Sequence, residues 1–160
     1  MISESPAEKC VALGALSLQT EADTARLGAA LARAMRKGVA VCLSGPLGAG
    51  KSVLARALIR ALIPSERDVP SPTFTLVQFY DGPQFPIAHF DLYRLTDAAE
   101  AFEIGLDEAL AHGAAVIEWP ERLGDERPRD RLDVMIALEG EGRHATLTPH
   151  GAWEGRRLER

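Results

Sequence analysis

Apolar positions recur at helical spacing across residues 21–36, with Thr20 placed to cap the start and Gly38 to end it. The period then changes. Residues 39–44 form a short continuous apolar run, as expected of a strand buried on both faces. Residues 53–63 return to the helical period, with Leu54, Leu58 and Leu62 on one stripe and Pro64 as the stop. Pro70 and Pro72 make the connection over 65–72 extended and stiff. Residues 75–80 and 85–91 read as strands joined by the turn-rich 81–84, a hairpin. A capped helical turn over 97–103 and a short helix over 105–111, ended by Gly113, lead to a buried strand over 114–120. A final hairpin pairs 132–138 with 144–148. Helix and buried strand alternate at the front and hairpins follow, which predicts an α/β fold: three layers around a mixed central sheet.

Composition narrows the class. A chain of 160 residues that is 46% hydrophobic and 26% charged suits one globular domain with a full core, so residues 1–160 are expected to form a single domain with loosely packed ends over 1–8 and 152–160. No apolar stretch is long enough to span a bilayer, and the first eight residues lack a basic start followed by an apolar segment, so the expected location is the cytoplasm and no membrane partner. A net charge of −5 argues against stable direct binding of nucleic acid by this chain alone. The basic cluster over 156–160 reads as a solvated tail. Cys10 and Cys42 make no disulfide framework, and Cys42 fits as a small buried residue in its strand.

The chemistry starts between the first strand and the second helix. Gly45-Pro46-Leu47-Gly48-Ala49-Gly50-Lys51-Ser52 satisfies the Walker A phosphate-loop pattern, in the strand-loop-helix context that the motif requires. Glycines let successive backbone N–H groups turn inward at a helix N-terminus, where the helix dipole favours phosphate. Lys51 then bridges the β- and γ-phosphates and the Ser52 hydroxyl is placed for Mg²⁺.

Such a loop needs a metal-side carboxylate at the end of a buried strand. Glu118 follows one apolar run and Asp91 another, and the pattern alone leaves the choice open. Guanine readers need an Asn-Lys-x-Asp element; the lysines are Lys9, Lys37 and Lys51, and no Asp is followed three places later by Gly, which excludes that class. Arg122, Arg127, Arg129 and Arg131 could form the lid of a small-molecule kinase, which stands as the alternative reading. A nucleotide-gated binding module is a third. Phe90 and Tyr93 read as core, and Trp119 as space-filling. His89 reads either as an orienter of Asp91 or as a structural histidine.

The phosphate loop, Ser71-Pro72-Thr73-Phe74, the run from His89 to Leu95 and the run from Val116 to Glu121 occur in the order and spacing of one family. With the Thr24 to Gly28 pattern and Gly105-Leu106-Asp107-Glu108, the chain resembles the TsaE family of bacterial tRNA threonylcarbamoyladenosine biosynthesis ATPases from about Glu21 to Arg143. The resemblance implies a P-loop NTPase-like sandwich that binds ATP and Mg²⁺ and hydrolyses ATP weakly. It implies partners, TsaB and TsaD, with tRNA reached through their complex, and a role in modifying the adenosine beside the anticodon of tRNAs reading codons that begin with A. It implies that this chain neither makes the threonylcarbamoyl-adenylate nor transfers its group itself.

Carried over by motif, the resemblance gives Leu47, Gly48, Ala49, Gly50, Lys51, Ser52 and Val53 to the phosphates, with Lys51 also in the catalytic set. It gives Ser52 and Glu118 to Mg²⁺ and makes Asp91 the essential catalytic-site acid. Ser71 and Thr73 match a switch-like segment, and Trp119 lies beside the metal site. Glu21, Thr24 and Arg143 match nucleotide contacts. The family commonly has Asp where Pro46 stands and often Thr where Ser52 stands; Ser supplies the same hydroxyl, whereas Pro46 removes a carboxylate and one N–H.

Overall fold

The apolar run after Gly38 becomes the middle of a sheet, and everything else is arranged about it. A computed structural model describes residues 10–12, 14–66 and 68–159. In chain order the elements are β1 (Cys10–Ala12), β2 (Ala15–Leu18), α1 (Glu21–Ala34), β3 (Ala40–Ser44), α2 (Lys51–Leu62), β4 (Val77–Asp81) and β5 (Pro86–Asp91). They continue with α3 (Ala99–Glu103), α4 (Leu106–His112), β6 (Ala114–Glu118), a 3-10 segment (Pro120–Glu126), β7 (Arg131–Glu139), β8 (Gly142–Pro149), a 3-10 turn (Gly151–Trp153) and β9 (Arg157–Glu159).

Seven strands form the main sheet in the order β2-β8-β7-β3-β6-β5-β4. The four central strands, β7, β3, β6 and β5, run parallel, and β4, β8 and β2 join antiparallel at the flanks, which is the expected mixed sheet. Alternation along the central strands divides the core in two. Val41, Leu43, Val116, Val134 and Ile136 pack beneath α1 and α2. Ala40, Cys42, Ala115, Ile117 and Phe90 pack beneath α3 and α4. The result is a three-layer α/β sandwich. Close approach of the two helices on the first face depends on Gly28, where a Cβ would lie 2.7 Å from that of Ala57.

The start of α1 is fixed as the sequence predicts, by Thr20 in a capping box with Asp23. The helix stops at Ala34, short of Gly38. The C-terminal end differs from expectation. Far from loosely packed, the stretch after residue 152 carries Trp153 and Leu158 into the α1–α2 core, and β9 pairs antiparallel with β1. Arg156 is no solvated cation either: Nη2 donates to the Ala34 carbonyl at 2.7 Å and the guanidinium lies 4.6 Å from the Trp153 ring. Two apolar residues five places apart among charges leave no periodicity to detect. Residues 1–8 lie outside the described residues. Strand β2, four residues long with only Leu18 buried, is also absent from the sequence reading.

Candidate functional site

The loop from Gly45 to Gly50 is shaped by backbone constraints first. Gly45 has φ +139°, and a Cβ there would collide with the Ile136 carbonyl oxygen on β7, so no other residue fits between the strands. Gly50 holds φ +105° as the residue before α2 and offers no side-chain cap. The first N–H groups of α2 therefore remain available to a ligand at the mouth of the loop. Gly48 faces open space: a Cβ would meet nothing within 4 Å.

Lys51 is the first residue of α2 and only 5% exposed. Its Nζ donates to the carbonyls of Gly45 and, at 3.2 Å, Pro46, and it sits 3.7 Å from the centroid of the Trp119 ring. Burial lowers its pKa, and the carboxylates of Glu121, Glu118 and Asp91 act in the opposite direction. Trp119 holds a left-handed backbone with φ +60°, a conformation that costs a non-glycine residue about 1 kcal/mol or more. Its ring stacks at a tilt on Tyr93, with centroids 5.0 Å apart. Trp119 is thus the wall against which Lys51 rests, more than the filler its composition suggested. Tyr93 is 40% exposed and does not belong to the core, whereas Phe90 is fully buried as expected.

The two candidate carboxylates end adjacent parallel strands and are register partners, Asp91 on β5 and Glu118 on β6. Their surroundings separate them. Glu118 is 1% exposed; Oε1 accepts from the Ser52 hydroxyl at 2.8 Å and Oε2 lies 2.6 Å from His89 Nε2. Asp91 has no bond to the loop. Its Oδ2 accepts from Ser71 Oγ at 3.2 Å and Thr73 Oγ1 at 3.3 Å, and Oδ1 accepts from the Tyr93 N–H at 3.1 Å. The structure therefore couples Glu118 to the loop hydroxyl and Asp91 to the segment that the sequence reading treats as switch-like. His89 lies against Glu118 and not Asp91: residues 89 and 91 share one face of β5, and the imidazole reaches across to β6.

Leu47, Gly48, Ala49, Gly50, Lys51, Ser52 and Val53 line one cavity together with Ser71, Thr73, Asp91, Tyr93, Glu118, Trp119 and Arg143. A second cavity adjoins it, lined by Glu21 and Thr24 of α1 with Leu18, Gly50, Val53 and Ile136. Arg143 stands at both. Its Nε donates to the Ala49 carbonyl at 2.9 Å and one terminal nitrogen to Gly48 at 3.4 Å, so the side chain braces the loop from β8. The paired cavities suit an elongated ligand with an anionic end. Of the four arginines weighed as a kinase lid, none lines the cavity at Lys51: Arg131 is bound to Asp133 and the Pro128 carbonyl, and Arg127 to the Gly124 carbonyl.

Among the described residues no group of three His, Cys, Asp or Glu side chains could hold a metal by itself. A Mg²⁺ ion needs no such group, since it takes one or two protein ligands and completes its shell with phosphate oxygens and water. Ser52 and Glu118, in mutual contact, are that kind of donor pair. Among the same residues no helix is long and apolar enough to cross a membrane.

The family model described as threonylcarbamoyl adenosine biosynthesis protein TsaE matches residues 18–145. The chain is 36% identical over 121 residues to the tRNA threonylcarbamoyladenosine biosynthesis protein TsaE of Rickettsia bellii, covering 76% of this chain and 84% of that one. It is 39% identical over 105 residues to the protein of the same description from Rickettsia conorii, covering 66% of this chain and 60% of that one. Among solved structures, Bacillus subtilis YdiB superposes with a TM-score of 0.71 at 27% identity, over 86% of this chain and 85% of the other. The motifs, the fold and these matches agree: the chain belongs to the TsaE family of threonylcarbamoyl adenosine biosynthesis proteins.

Proposed function

We propose that the protein binds Mg²⁺-ATP and hydrolyses it slowly, in the cytoplasm, to support successive rounds of threonylcarbamoylation of the adenosine beside the anticodon in tRNAs reading A-starting codons. The observation that carries this reading is the contact between Ser52 and Glu118 at 2.8 Å, directly after the phosphate-binding lysine. It joins a phosphate loop to a metal-side carboxylate in one place. Bound Mg²⁺ would supply charge neutralisation to the phosphates. The chain's own residues do the rest. Backbone N–H groups at the start of α2 and Lys51 bind the phosphates, and Ser52 with Glu118 would hold the ion. Asp91, bonded to Ser71 and Thr73, is placed to orient the attacking water and to tie its position to the segment over 71–74. Arg143 braces the loop, while Glu21 and Thr24 line the space next to it for the nucleoside.

TsaB and TsaD homologues are the proposed partners, and tRNA is met only through their complex. The net charge of −5 supports that division, since a chain of this sign has little electrostatic hold on nucleic acid. The test is product analysis of γ-labelled ATP with the protein alone and with TsaB and TsaD. Slow release of free phosphate, accelerated by the partners, is expected. Label transferred to a small acceptor would establish the kinase alternative instead, and no turnover in either mixture would leave a nucleotide-gated binding module.

A further inference from the structure

We infer that His89 is a positioning residue for the metal-side carboxylate: its Nε2–H holds Oε2 of Glu118, so that Oε1 stays turned toward Ser52. The inference rests on the Mg²⁺-ATP reading above and adds a residue to it. His89 is fully buried and Glu118 is 1% exposed, so neither group has water to replace a lost partner. The carboxylate is held at both ends, by the imidazole at 2.6 Å and by the Ser52 hydroxyl at 2.8 Å. The other ring nitrogen, Nδ1, is buried with no hydrogen-bond partner. A histidine that served only to fill the core would leave that atom unsatisfied for nothing, and an apolar residue of similar volume would fill the space without the cost. What the position gains from histidine is the single donor aimed at Glu118.

The backbone makes the aim rigid. Asp91 is the register partner of Glu118, and His89 lies two residues earlier on the same face of β5. One strand thereby carries both the acid that faces the 71–73 segment and the donor that fixes the neighbouring carboxylate. Without Nε2–H, Oε2 is buried alone and the carboxyl group is free to rotate or to draw on Ser52 with both oxygens. The loss should fall on the ion and not on the nucleotide. Hydrogen-bonding partners of ligating carboxylates typically govern about ten- to a hundredfold in metal affinity.

The experiment compares His89→Gln with His89→Asn in the full chain. A glutamine amide N–H reaches the place of Nε2, whereas the shorter asparagine reaches only that of Nδ1. ATP binding is measured by calorimetry in chelator and across a Mg²⁺ titration. We expect both variants to bind ATP without Mg²⁺ within about twofold of wild type. His89→Asn should need about tenfold more Mg²⁺ to reach full affinity, and His89→Gln should return to within about threefold. Folded variants that both titrate like wild type, or that both lose the Mg²⁺ response equally, overturn the inference. A second readout needs no nucleotide: in nitrogen-15-labelled protein the slowly exchanging imidazole proton of His89 should sit on Nε2, and a proton on Nδ1 with bare Nε2 overturns the role. If wild type itself binds ATP with no Mg²⁺ dependence, the functional reading fails and takes this one with it. Intact wild-type dependence with indifferent variants overturns His89 alone.

Discussion

Ser52 and Glu118, 66 positions apart, are joined by a 2.8 Å hydrogen bond. The contact follows from strand order. Parallel pairing of β3 with β6 sets Leu43 beside Glu118, and the loop after β3 then carries Ser52 back over the end of β6. A hydroxyl and a carboxylate that meet without an intervening side chain can share one small cation, whereas Asp91, one strand further out, is bonded to Ser71, Thr73 and the Tyr93 N–H.

That division predicts different failures for the two acids. Glu118→Gln should weaken the Mg²⁺-dependent part of ATP affinity by about ten- to a hundredfold. Asp91→Asn should keep affinity nearly intact and lose turnover, because its partners are Ser71, Thr73 and the Tyr93 N–H and not the loop. Calorimetry with and without Mg²⁺, set beside single-turnover hydrolysis, separates the effects. Purely structural destabilisation of equal size in both variants would sink the assignment.

Lys51→Ala should cost ATP affinity about 1.5–3 kcal/mol, roughly ten- to a hundredfold or more, from the lost charge-assisted bonds to phosphate. Unchanged affinity by calorimetry would show that the ligand does not use the loop.

At Gly45 the objection to a side chain is steric and conformational at once, since φ is +139° and the Ile136 carbonyl occupies the space. Gly45→Ala should therefore unfold at lower urea, by about 2 kcal/mol or more, and should lose nucleotide binding even where it remains folded. A protein of unaltered midpoint would mean that the loop relaxes without strain.

The chain's patterning made the central layers legible because β3 and β6 are buried on both faces and α1 and α2 carry clean apolar stripes. The phosphate loop was legible for a different reason: its residues are set by backbone geometry, so spacing alone identifies them. What stayed hidden depends on contacts between strands. Nothing local shows that His89 turns to Glu118, or that Glu118 and not Asp91 meets Ser52. Arg143 carried no local signal for its hold on the carbonyls of Gly48 and Ala49, since it comes from a hairpin some 90 residues later.

The cap of α1 gives a pH-dependent prediction. Asp23 accepts from the N–H groups of Gln19 at 2.9 Å and Thr20 at 3.2 Å and pairs with Arg26. Burial acts to raise its pKa, but the bonds from Arg26, Gln19 and Thr20 outweigh it and hold the group below its ordinary 3.8. A depressed carboxyl pKa stabilises the fold above pH 3.8, and that contribution is lost as pH falls through the folded value. Wild type should thus melt higher than Asp23→Asn at pH 7, with the gap closing below pH 3.8. A gap that persists undiminished in acid would assign the effect to packing.

The C-terminal segment offers the sharpest test of the fold beyond the site. Trp153 is fully buried among α1 and sheet residues, and Arg156 reaches from the same segment to the Ala34 carbonyl, at the end of α1 where helix carbonyls lack internal partners. Burying a whole indole contributes on a scale of about 3–5 kcal/mol by truncation, against about 1 kcal/mol for a single hydrogen bond. Trp153→Ala should therefore cost several times what Arg156→Ala does in chemical denaturation, and ending the chain at residue 152 should cost at least as much as Trp153→Ala. Because Trp153 sits in the α1–α2 core and lines neither of the two cavities at the loop, such variants should bind ATP with unchanged affinity at temperatures where they remain folded. If the truncated chain unfolds at the wild-type midpoint, the segment is a passenger on the core, and the contacts of Arg156 contribute nothing to holding α1 in place.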